Sequence, residues 1–95
     1  MPPVIDPRHL VGLLGSAGKS LARVPEAERV GERLRDARSP AELARLLAPL
    51  DLGLAPPARR VVEQGLAQGP HWEERRAALL HSFDLAHAER FESGA

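Results

Sequence analysis

Three residues near the C-terminal end have types that suit metal binding: His81, Asp84 and His87, spaced three residues apart. Imidazole and carboxylate groups are common ligands for transition metals. On one straight helix, however, His81 and His87 lie about 120° apart around the axis and about 9 Å along it. A shared ion would therefore need a ligand from another helix or subunit. A metal-binding helical protein remains the third hypothesis for function, although we predict no bound metal or other cofactor.

A segment that could bind phosphate ends in Gly18, Lys19 and Ser20. The phosphate-binding loop also requires a glycine five residues before Gly18, where this sequence has Leu13. Apolar residues instead recur at helical spacing through the same segment: Leu10, Leu13, Leu14, Ala17 and Leu21. We therefore interpret the segment as part of an amphipathic helix and do not predict nucleotide binding.

Side chains in a pattern typical of catalysis are not recognisable in the sequence. The chain has no cysteine, so a disulfide scaffold, a thiolate zinc site and a cysteine nucleophile are excluded. Its serines lack the pattern of a nucleophile elbow, and Ser39 fits a helix cap instead. We predict that the chain is not an enzyme.

The segment from Ser39 to Arg60 has the outline of a helix-turn-helix, with Arg59 and Arg60 as candidate nucleic-acid contacts. Its connector of about six residues is longer than the usual three or four. The second helix of this motif begins with two prolines and an alanine, residues 56–58, which offer few groups that can contact bases. Moreover, 13 basic residues balance 13 acidic ones, whereas DNA-binding domains are usually basic. A DNA-binding regulator is therefore the alternative function, and nucleic acid is the less favoured partner.

The elements that position these residues are punctuated by proline and glycine. Proline favours the first position of a helix, and glycine favours the residue after its last turn. The strongest local signal is a capping box at residues 39–42, where Ser39 precedes Glu42 by three residues. Five helices are predicted, over residues 7–23, 25–38, 40–48, 56–68 with Gly69 as the cap, and 70–91.

The first predicted helix is weakened by Gly12, Gly15 and Gly18. Each glycine in a helix interior costs about 1 kcal/mol relative to alanine. Two outcomes are open: a break near residues 15–18, or another backbone packed closely against the glycine side.

The predicted fold is all-α, a compact bundle of about five short helices with short connections. A chain of 95 residues is expected to form one domain, here 1–95, with 1–5 and 92–95 as flexible ends. In helix number and size this arrangement resembles small helical interaction modules such as the death-like adaptor group. The sequence has neither the layout of a secretory signal nor a long apolar run, so we predict a cytoplasmic location and no membrane contact.

The function that the sequence favours is a protein–protein interaction module, acting as an adaptor, an assembly subunit or a regulator of a larger complex. A small leucine-rich core provides only a few kcal/mol of stability, so a protein partner or a second copy would complete it. The predicted contacts are apolar residues with weak local reasons to be buried: Val30 and Leu34 in the second helix, and Leu50, Leu52 and Leu54 in the connector.

Overall fold

The structure is a computed structural model that describes residues 7–67 and 71–93. Within these ranges the chain forms five helices and no strand: α1 (Pro7–Leu21), α2 (Ala27–Asp36), α3 (Pro40–Leu47), α4 (Pro56–Ala67) and α5 (Trp72–Ser93). The predicted all-α bundle is confirmed. The predictions for residues 1–5 and 94–95, for the cap at Gly69 and for a helix start at Pro70 lie outside the described residues. Residues 92–93, predicted as part of the tail, instead continue α5.

The capping box at the start of α3 forms, with one change of partner. The hydroxyl of Ser39 accepts a hydrogen bond from the Glu42 amide at 3.2 Å. The Glu42 carboxylate accepts from the amide of Arg38 at 2.9 Å, one residue before the expected partner. Because Ala37 already has an extended backbone, with a ψ of 124°, α2 ends at Asp36 rather than at the predicted residue 38, and the Arg38 amide binds α3 instead.

The helix α1 runs without a break through its glycines because two of them lie against α5. A methyl group at Gly18 would lie 2.6 Å from the carbonyl oxygen of Leu79 and 2.9 Å from the amide nitrogen of Phe83. One turn earlier, the hydroxyl of Ser82 donates a hydrogen bond to the carbonyl of Gly15 at 3.0 Å. Of the two outcomes open for this helix, close packing of another backbone is therefore the one observed.

The core forms where α5 packs along α1 and also contacts α2 and α4, while α3 packs on α2 and α4. Phe83 is the largest fully buried side chain in the described part of the chain. Leucine and valine fill most of the space around it: Leu10, Leu14, Leu21, Val30, Leu34, Leu43, Leu47, Leu52, Val62, Leu66 and Leu79.

Three arginine side chains bind carbonyl groups at the ends of other helices. These groups have no partner within their own helix, and a cation also favours the negative end of the helix dipole. Arg59 of α4 binds the end of α3, Arg75 of α5 binds the end of α4, and Arg76 of α5 binds the end of α2. The short helices are thus joined by hydrogen bonds between elements as well as by apolar packing.

Candidate protein-binding groove

Three of the five predicted contact residues lie in the core of the chain itself. Val30, Leu34 and Leu52 are 4%, 0% and 1% exposed, so the expectation that they remain partly open is wrong. On α2, a methyl group at Gly31 would lie 2.8 Å from the ring of Phe83, which shows how closely α5 covers this helix.

The connector turns Leu52 inward through a tight bend. Gly53 adopts a positive φ of 68°, a conformation that glycine tolerates, and its amide binds the Asp51 carboxylate at 2.8 Å. The other two predicted contacts, Leu50 and Leu54, are half-buried and pack against the core. Of the predicted set, they are the ones with apolar surface still open to solvent.

Leu50 lies in an open groove between α2 and α3. Two adjoining cavities of about 350 and 340 Å³ share Arg33 and Leu46 and together form this surface. We call this surface the α2/α3 groove. Its apolar floor consists of Val30, Leu46, Pro49 and Leu50. Its charged borders consist of Arg29, Arg33, Arg45, Glu26, Asp36 and Glu42. Its most open large apolar side chains are Leu46 and Leu50, both half-buried.

The three arginines of the groove are exposed, and none of their guanidinium groups binds another described residue. Arg29 and Arg33 are one helical turn apart on α2, while Arg45 precedes Leu46 on α3. Like charges spaced in this way repel slightly within a helix. The groove therefore combines an apolar floor with cations that are not neutralised inside the described fold.

Sequence reasoning missed Leu46 as a binding residue. Leu43, Leu46, Leu47 and Leu50 form one apolar stripe, and the sequence does not show which members a neighbouring helix covers. In the structure Leu43 and Leu47 are buried, whereas Leu46 is partly open. The like-charged pair Arg29 and Arg33, at a spacing of four, does not single out this face, because Glu28 and Glu32 form a similar pair on the same helix.

Two other surface cavities have no partly open leucine in their lining. In a cavity of about 560 Å³ at the start of α2, half of the lining residues are charged, among them Glu28, Arg29 and Glu32. A cavity of about 420 Å³ between α3 and α4 is more apolar, but its leucines, Leu47 and Leu66, are already buried. The open part of its lining consists mainly of alanine methyl groups and of Glu63 and Gln64.

The two arginines predicted as DNA contacts lie in different environments. The guanidinium of Arg59 donates to the carbonyls of Leu50 at 2.7 Å and Leu47 at 2.8 Å, and it pairs with Glu63 at 2.6 Å. Arg60 is exposed. Because Arg59 is directed to the end of α3, it has a structural role in this fold, and Arg60 is the one of the pair that faces solvent.

The three residues considered as metal ligands lie in different environments. Asp84 forms an ion pair with Arg35 of α2. The ring of His87 stacks on Phe83, with centroids 5.5 Å apart and planes 11° apart. His81 is exposed. Across residues 7–67 and 71–93, no three side chains of metal-binding type come together.

No described helix combines the length and the apolar character needed to cross a membrane. Comparison with known protein families found no matching family model, and neither the curated proteins nor the solved structures contained a match.

Proposed function

We propose that this chain is a protein–protein interaction module that binds a segment of its partner in the α2/α3 groove. It would serve as an adaptor, an assembly subunit or a regulator of a larger complex. The observation that carries the proposal is the open apolar surface of Leu46 and Leu50 beside three unpaired arginines. Protein interfaces commonly place an apolar centre inside a polar border, and arginine is enriched among the residues that contribute most to binding.

The dimensions of the groove favour a short helix as the bound segment. Helix-in-groove binding places the apolar face of a helix on an apolar floor, which Leu46 and Leu50 provide here. The eight residues of α3 span about 12 Å and the ten residues of α2 about 15 Å at the usual rise per residue. A partner segment of two to three turns, about 8–11 residues, would cover the groove.

The partner can be identified by a photoreactive amino acid placed at Pro49, which is exposed and lines the groove. The same group at Leu85, an exposed residue of α5, provides the control. A protein that crosslinks from position 49 and not from position 85, and that binds the purified chain at stoichiometric ratio, supports the proposal. Equal crosslinking from both positions contradicts the choice of surface.

Once this partner is identified, we expect Leu46→Ala to weaken binding by about fivefold or more, because a residue that matters at the centre of an interface contributes more than about 1 kcal/mol. The matched control is Leu13→Ala on α1, which also shortens a half-buried leucine packed on the core and lies outside the groove. Dissociation constants can be measured by calorimetry alongside thermal unfolding. We expect both variants to lose a similar amount of stability and only Leu46→Ala to bind the partner more weakly. Equal binding by both variants would contradict the proposal.

A further inference from the structure

We infer that the α2/α3 groove accepts an amphipathic helix that carries aspartate or glutamate beside the middle of its apolar face. This inference rests on the proposed function and adds the chemistry of the partner segment.

The middle of the groove is positively charged. Arg33 and Leu46 line both of its cavities, with Arg29 on one side and Arg45 on the other. None of the three guanidinium groups pairs with a described carboxylate. Since guanidinium groups bind carboxylates through two parallel hydrogen bonds, these arginines can hold acidic side chains on either side of a bound apolar face.

The two ends of the groove carry negative charge. Glu26 precedes Arg29 by three residues and lies at one end, and Asp36 follows Arg33 by three residues and lies at the other. Glu42 also borders the second end, but its carboxylate already accepts the Arg38 amide. Among the charged residues that line the groove on its α2 side, the order is therefore negative, positive, positive, negative. A complementary helix has carboxylates at its middle and neutral or basic residues at its ends.

This charge order favours a peptide over a nucleic acid. A phosphate backbone carries continuous negative charge and would meet Glu26 and Asp36 at the two ends. The lining residues include no aromatic ring on which a base could stack. Leu46 and Leu50, in contrast, are matched by apolar side chains on a helix.

A phage-displayed library of 14-residue amphipathic helices tests the inference. All members share one leucine face, and the flanking positions vary among glutamate, glutamine and lysine. The target is the full chain. We expect selection to enrich glutamate at the central flanking positions.

A charge exchange gives the sharper result. We expect Arg33→Glu with Arg45→Glu to reduce affinity for the selected acidic peptides by about tenfold or more and to favour lysine at the same peptide positions. The control carries the same charge change at two exposed arginines outside the groove, Arg23→Glu with Arg60→Glu. All targets are checked for native helicity and thermal unfolding before use.

The outcomes separate this inference from the proposed function. One outcome is that the selected peptides bind the Leu46→Ala chain more weakly and yet carry lysine or glutamine at their central positions. This result would overturn the charge assignment but would keep the groove as the binding surface. Peptides insensitive to both Leu46→Ala and the charge exchange, or no enrichment at all, would overturn both. A fluorescent DNA duplex that binds the chain and is released by Arg33→Glu with Arg45→Glu would also overturn the inference.

Discussion

Gly18→Ala is expected to lower the free energy of unfolding by about 2–3 kcal/mol, although alanine is the better helix former by about 1 kcal/mol. The added methyl group would lie 2.6 Å from the Leu79 carbonyl oxygen and 2.9 Å from the Phe83 amide nitrogen. Both are backbone atoms of α5, so neither can move aside as a flexible side chain would. The helices α1 and α5 must separate, and the packing along their shared length weakens.

Gly12→Ala provides the matched control on the same helix. Nothing lies within 4 Å of a methyl group at this position. The substitution should therefore raise the free energy of unfolding by up to about 1 kcal/mol through helix propensity alone. Urea unfolding followed by circular dichroism measures both changes. If Gly18→Ala stabilised the chain as Gly12→Ala does, the close approach of α1 and α5 would be wrong.

Arg59→Met is expected to cost about 2–3 kcal/mol of stability, because hydrogen bonds to a charged group contribute about 1.5–3 kcal/mol. The substitution keeps much of the aliphatic length of the side chain but removes the donors to the Leu47 and Leu50 carbonyls. These bonds are part-buried, so water replaces them poorly: the Leu50 carbonyl loses its arginine donor, and the Leu47 carbonyl keeps only the Leu50 amide, at 3.0 Å.

Arg60→Met, next along the same helix, should change stability by no more than about 0.5 kcal/mol, since Arg60 is exposed. Arg59→Lys should recover only part of the loss, because one ammonium group does not reproduce the planar fork that reaches several carbonyls. Thermal and urea unfolding distinguish the three variants. Equal stability of Arg59→Met and Arg60→Met would show that Arg59 does not hold the end of α3.

Local signals in the sequence were sufficient for most of the helices. The cap at Ser39 and the proline at position 40 act on neighbouring backbone groups, so they define the start of α3 without knowledge of the fold. The glycines of α1 predict that another backbone packs closely against this helix, and the backbone of α5 does so at Gly18. What the sequence does not show is that α5 is the helix that makes this contact.

The candidate site depends on tertiary contacts that no local pattern specifies. The apolar side of α2 is thin in sequence, yet Phe83 of α5 lies against Gly31, and Val30 and Leu34 are buried. The direction of Arg59 depends on where the end of α3 lies relative to α4. For the same reason, the exposure of Leu46 followed only from the placement of α2 beside α3.

The most direct test of the proposed binding surface is an NMR titration of the full ¹⁵N-labelled chain with the partner identified from position 49. We predict that amide shifts change around Arg33 on α2 and around Leu46 and Leu50, while the surroundings of Val11 and Leu85 stay constant. These last two are the large apolar residues most exposed elsewhere in the described chain, at 60% and 54%. Shifts centred on Val11 and Leu85, with α2 and α3 unchanged, would contradict the account.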